Sequence, residues 1–167
     1  MAAIILEPVS TQSQIDTLCA IAKTVWHETY DDLLPPGQPD YMIEKFQSDH
    51  AVKEQMAREN YRYVLAKLGE AYVGFVGYAP RYQGQEEMYL SKAYILPQGR
   101  GQGVVGALFR LVEEETKKEG LSRVRLTVNK GNAHAKAVYE HYRTVEAVQS
   151  DIGGGYVMDD YVMVKEL

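Results

Sequence analysis

Apolar residues at Ile15, Leu18, Cys19, Ala22, Val25 and Trp26 recur at helical spacing, which predicts an amphipathic helix over residues 13 to about 28. A second stripe, Leu108, Leu111 and Val112, predicts a helix over 104–119, with Gly120 placed to end it. Between them the period shortens. Residues 61–68 and 71–82 read as two arms of a hairpin about Gly69-Glu70, and 87–96 as the next strand. Further on, 123–128 alternates as a strand, and 132–142 reads as a helix with Asn132 as its N-cap. Residues 145–149 and 156–164 give two last strands around Gly153-Gly154-Gly155. Near the start, 4–7 reads as a short first strand. Prolines and a glycine make 32–39 a loop, and two short helices near 40–47 and 50–59 follow. There is no repeat, low-complexity tract or linker, so residues 1–167 read as one α+β domain, a mixed sheet with helices on its faces.

One stretch carries chemistry. The apolar run ending at Leu96-Pro97 meets four glycines (Gly99, Gly101, Gly103, Gly106) just where a helix begins. Glycines let a backbone approach a ligand closely, and free N–H groups at a helix start point at an anion, so a phosphate-bearing ligand is expected. Gly101-Gln-Gly-Val-Val-Gly106 also spells G-x-G-x-x-G, but its setting does not suit a dinucleotide fold. Pro97 to Arg100 separate the strand from the glycines, a hairpin precedes it, and the following strand ends in Asn129-Lys130 rather than an acid. No Gly-Lys-Ser/Thr follows, which excludes a Walker A loop.

Composition narrows the field. The chain is 46% hydrophobic and 25% charged with net charge −5, and it lacks a dense basic stripe, so nucleic acid is disfavoured and a small cationic partner agrees better. Every long apolar run is broken by charge or glycine, so no membrane span is expected. The N-terminus lacks the basic region of a signal peptide, and the single cysteine, Cys19, suits a reducing cytoplasm. His27, His50, His134 and His141 are scattered without metal-ligand spacing, so no metal is expected.

The loop Arg100-Gly101-Gln102-Gly103-Val104-Val105 resembles the Gln/Arg-x-x-Gly-x-Gly/Ala signature of the GNAT superfamily of N-acetyltransferases, with Gly106 one place late. A second family signature appears as Asn132-Ala-His-Ala135 with Tyr139-Glu140. The resemblance covers roughly residues 61–145, and the tail from Asp151 to Tyr161 is similar to bacterial spermidine/spermine acetyltransferase-like members. Two departures stand out: Val105 replaces the usual small residue, and Arg143-Thr144 replace the usual Gly-Phe.

This resemblance implies a mostly antiparallel sheet of about seven strands flanked by about four helices, split between the fourth and fifth strands. It implies an acetyl-CoA-dependent N-acetyltransferase whose acceptor is a small-molecule amine, for which a polyamine is expected. Acylation of a peptide amine and a non-catalytic CoA-binding module are the alternatives. The pantetheine arm would pair with the backbone of Ala93, Tyr94 and Ile95. The diphosphate would sit on Arg100, Gly101, Gln102, Gly103, Val104, Val105 and Gly106, with Asn132 bonding the arm. Tyr139 would protonate the leaving thiolate. An amine of pKa about 10.4 costs about 4.6 kcal/mol to deprotonate at pH 7, so a base must help. Many family members keep a carboxylate near Glu86 and Glu87, although Tyr89 stands nearest that place. Glu28, Tyr30, Asp31, Glu87 and Asp159 are expected at the acceptor side, and exposed aromatics are compatible with a homodimer.

Overall fold

The structure is a computed structural model that describes residues 3–167, without the side chains of His134, Lys136 and Ala137. Strand β1 (Ile4–Pro8) leads into helices α1 (Gln12–Tyr30), α2 (Gln38–Phe46) and α3 (Asp49–Arg58). Strands β2 (Arg62–Leu68), β3 (Ala71–Pro80) and β4 (Met88–Ile95) form a meander, followed by α4 (Val104–Lys118), β5 (Arg123–Asn129) and α5 (Ala133–Val138). The hairpin β6 (Arg143–Gly153) and β7 (Tyr156–Glu166) closes the chain.

The seven strands make one sheet in the order β1-β2-β3-β4-β5-β7-β6, antiparallel throughout except between β4 and β5. That parallel contact is short. Only Met88 with Val124 and Tyr89 with Arg125 pair, and beyond them the strands diverge, leaving β4 with one free edge from Leu90 onward. This is the expected split between the fourth and fifth strands.

Each face of the sheet has its own core. On one, Leu108 and Val112 of α4 pack on Val76, Leu90, Val124 and Leu126. On the other, Leu18, Ala22 and Val25 of α1 and Val52 of α3 pack on Tyr63, Leu65 and Phe75. A bulge lets β4 serve both. Gly77 opposes Lys92 but Tyr78 opposes Leu90, so Ser91 is extra and the side-chain parity flips there. Tyr89 before the bulge and Tyr94 after it consequently share the α1 face.

Several boundaries differ from expectation for local reasons. Helix α1 starts at Gln12 because Thr11 and Gln14 form a reciprocal capping box. Helix α2 starts at Gln38, inside the expected loop. Gly37 caps it at φ 86°, and Pro39 is tolerated because first-turn N–H groups have no helical partner. Helix α5 stops at Val138 rather than Tyr142: Tyr139 is its C-cap, a turn follows with the Tyr142 N–H bonded to the Tyr139 carbonyl, and the chain enters β6 at once.

Candidate active site

A cavity of about 1400 Å³ opens where β4 and β5 part, and the glycine loop, α5 and α1–α3 complete its walls. In its wall, Gly101 (φ 71°) and Gly103 (φ 83°) turn the backbone through conformations that side chains rarely adopt. Gly103 is the N-cap of α4 and offers no side-chain cap, no acid lies in the first turn, and the first helical bond runs from Ala107 N–H to the Gly103 carbonyl. The amides of Val104, Val105 and Gly106 are therefore left without helical partners, the arrangement that holds a phosphate. Gly99 is needed for a different reason: a Cβ there would lie 2.8 Å from the Val73 Cβ.

Arg100 sits at the mouth. Its Nη2 is 2.5 Å from Glu28 Oε1 and 3.1 Å from the Ile95 carbonyl. Arg110 points back at the same helix start, its Nη1 3.4 Å from where a Cβ on Gly106 would lie. Ala93, Tyr94 and Ile95 line the cavity along the free edge of β4, while the Tyr94 hydroxyl accepts from Trp26 Nε1 at 2.9 Å on the far side. Val105 lines the cavity, but Gln102 and Gly106 do not. The Gln102 side chain donates to the Gln98 carbonyl at 2.8 Å.

Facing the loop, Tyr139 is the C-cap of α5 and stacks on Phe109 at 5.5 Å and 11°. Burial pushes its phenol up, with Tyr30 a lesser cause, so it stays protonated. Asn132 accepts from Ala135 N–H at 3.1 Å, capping α5, and its Nδ2 reaches the Tyr30 hydroxyl at 3.3 Å. The acceptor end is walled by Tyr61, Tyr82 and Tyr89 on one side and by Val148, Ser150, Met158 and Asp160 on the other. It is roofed by α2 clasping the β6–β7 tip: Gln38 Nε2 donates to the Val157 carbonyl at 2.8 Å and the Tyr41 hydroxyl to the Ile152 carbonyl at 3.0 Å.

Of the five residues expected at the acceptor side, Tyr30 and Glu28 line the cavity and three do not. Asp31 turns outward onto His27 Nδ1 at 2.8 Å. Glu87 stays at the start of β4, 3.1 Å from Arg125 Nε and 3.9 Å from Arg123 Nη1. Asp159 points away to Lys130 at 2.9 Å, and its neighbour Asp160 faces in. Strand parity does not tell the two apart: Asp160 shares a side with Val162 and Asp159 with Met163, and both of those are buried. Reading from the sequence also missed Lys92, 4% exposed, whose Nζ donates to the Gln55 Oε1 at 3.0 Å and to the Phe46 carbonyl that ends α2. The side chain of His134 lies outside the described residues. Among the described residues, no three His, Cys, Asp or Glu side chains converge on a point that could hold a metal ion.

The chain belongs to the acetyltransferase (GNAT) family, whose model matches residues 25–143. An uncharacterized N-acetyltransferase of Mycobacterium tuberculosis strain H37Rv is 35% identical over 94 residues, 55% of this chain. The match spans 60% of that curated relative's length. Among solved structures, the PaiA N-acetyltransferase of Thermoplasma acidophilum in complex with coenzyme A superposes with TM-score 0.78 at 18% identity, covering 99% of both chains. A GCN5-related N-acetyltransferase of Rhodopseudomonas palustris gives TM-score 0.79 at 16% identity, covering 100% of this chain and 98% of that one. At such identities these two likenesses speak for the fold.

Proposed function

We propose that this protein transfers the acetyl group of acetyl-CoA to a primary amine on a small cationic acceptor, a polyamine by class, in the cytoplasm. The observation that carries this reading is that the free edge of β4, the uncapped start of α4 and the buried phenol of Tyr139 all line one cavity. The residues fit the cofactor. Backbone groups of Ala93, Tyr94 and Ile95 can pair with an amide-bearing arm as a further strand would. The α4 amides, with Arg100 and Arg110 beside them, suit a diphosphate. Tyr139 offers its O–H to the leaving sulfur. Its raised pKa makes it a weaker acid in the ground state, so its share of catalysis is a hydrogen bond that strengthens as charge builds on sulfur.

The acceptor's charge is read from the wall: six carboxylates (Glu28, Asp32, Glu44, Glu54, Glu59, Asp160) against three cations (Lys45, Lys92, Arg100). A ping-pong route has no nucleophile here. Cys19 is outside the cavity, half-buried, and burial pushes its thiol up. The test is thiol release from acetyl-CoA across polyamines, aminoglycosides and peptide amines. Polyamines should be preferred, and Tyr139→Phe should cut kcat by about 10²-fold while CoA affinity is kept. A preference for peptide N-termini would overturn the acceptor class. CoA binding without turnover on any amine would make this a CoA-binding module instead.

A further inference from the structure

We propose that Asp160 receives the acceptor's ammonium group and takes its proton, making it the general base of the acetyl transfer. This rests on the reading just given. Asp160 lies on β7 opposite Asn129 of β5 and Val148 of β6, and it lines the same cavity as Tyr139. Its Oδ1 is buried and has no hydrogen-bond partner. Two other buried side-chain atoms share that condition among the described residues, and each has a local explanation. Arg125 Nε is 3.1 Å from a Glu87 oxygen. Gln47 Oε1 gains a donor if its amide is turned over, because the Tyr94 hydroxyl is then free to donate into it. Asp160 has no such remedy.

Nor is its charge matched within the protein. Lys130 lowers its carboxyl less than burial and Asp159 raise it, and its ammonium is engaged by Asp159 at 2.9 Å and lies over the Tyr161 ring at 5.5 Å. Other carboxylates of the wall are satisfied or wet: Glu28 pairs with Arg100, Glu54 with Arg58 at 2.8 Å, and Asp32, Glu44 and Glu59 are exposed. Asp160 is half-buried, with one carboxyl oxygen cut off from any donor; that desolvation is unfavourable for the charged form, and an incoming ammonium relieves it. Burial, with Asp159 as second cause, pushes its carboxyl up to about 6, closer to working pH than an ordinary aspartate. Tyr30 lines the same cavity as Asp160 and Tyr139, its hydroxyl accepting from Asn132 Nδ2 at 3.3 Å.

The steps balance. The ammonium gives one proton to Asp160, and the freed amine forms a C–N bond to the thioester carbonyl carbon. As the C–S bond breaks, the sulfur takes the Tyr139 proton and the nitrogen's extra proton restores Tyr139. Asp160 then returns its proton to solvent, leaving an amide and a free thiol.

The test pairs Asp160→Asn with Asp160→Glu, using spermidine and acetyl-CoA. Three readouts are taken: CoA affinity, spermidine affinity of the CoA-loaded protein by calorimetry, and kcat/KM against pH. Asp160→Asn should keep CoA affinity within about twofold, weaken spermidine binding at least tenfold, and lower kcat/KM by about 10²–10³-fold with loss of the acid limb. That limb must be separated from Tyr30 of α1, Tyr139 of α5, Lys130 after β5 and Asp159 of β7, the titratable groups around it. A kcat/KM within threefold of wild type, or unchanged spermidine affinity, would overturn the proposal. If Asp160→Asn also loses CoA binding, Asp160→Glu decides. A displaced acid limb supports the role, and a wild-type profile removes it. Wild type that releases no thiol with any amine overturns acetyl transfer itself, and calorimetry then still reads whether Asp160 binds the ammonium.

Discussion

Arg100 and Glu28 meet at 2.5 Å across the mouth of the cavity, so the cation nearest the glycine loop is already held by a carboxylate of α1. Both side chains are partly exposed, and such a pair is worth about 0–1 kcal/mol. An anion arriving at the α4 start therefore competes with Glu28 for Arg100. Glu28→Gln should tighten CoA binding by about two- to fivefold, read by quenching of Trp26 fluorescence. Weaker binding would show instead that Glu28 holds Arg100 in the productive position.

The loop glycines should not respond alike. Gly101 is in the left-handed region with open space around it, so Gly101→Ala should cost about 1 kcal/mol through the backbone alone. Gly106 lies inside α4, and a Cβ there makes only ordinary contact with Arg110. Gly106→Ala should stabilise by about 0.5–1 kcal/mol, a rise in Tm of about 1–4 °C in thermal melts. A fall in Tm would mean that the first turn of α4 is strained.

Lys92 should write its burial into the stability curve. Burial pulls its ammonium from 10.5 down to about 7, so between these values the unfolded chain carries more protons than the folded one. Stability from this group accordingly rises with pH across that window. Lys92→Met removes the dependence, so the stability of wild type relative to the variant, from urea melts of both, should increase from pH 6 to pH 9. Parallel curves would show that the ammonium is not desolvated.

Asp160 should behave as a functional group kept at a structural cost. Its carboxyl is raised from 3.8 to about 6, so the folded state holds more protons in that range and stability falls as pH rises through it, remaining low above. Asp160→Asn should therefore raise Tm at pH 7.5, by about 2–4 °C for each kcal/mol recovered, and change it less at pH 4. A Tm lowered at pH 7.5 would count against an unpaired carboxylate at this position.

Much of this was legible in the chain. The apolar stripes of α1 and α4, the hairpin about Gly69-Glu70 and the glycines before α4 are local signals, each set by residues a few positions apart. The mouth of the cavity, Tyr139 and Asn132 came with them. What escaped depends on partners far along the chain. Glu87 is taken by arginines of β5 and Lys92 by the end of α2, whereas Asp31 is taken by His27, a single helical turn back. Asp159 and Asp160 carry the same charge, and both parities of β7 reach buried residues, Val162 and Met163, so no local pattern tells the inward carboxylate from the outward one. The early end of α5 at Val138 carries no local signal such as a proline or glycine between residues 133 and 142.

The short contact between β4 and β5 has a consequence for solubility. A strand edge with free N–H and C=O groups is a template onto which a stranger's strand can add, and most proteins blunt such edges with charge, proline or a covering helix. Here the bare edge runs through the middle of a seven-stranded sheet, recessed between β5 and the helices. A single slender arm can enter that cleft, while a second sheet is too broad to follow. Recession thus protects the molecule from edge-to-edge association without filling the edge, and it leaves those backbone groups free for whatever is narrow enough to reach them.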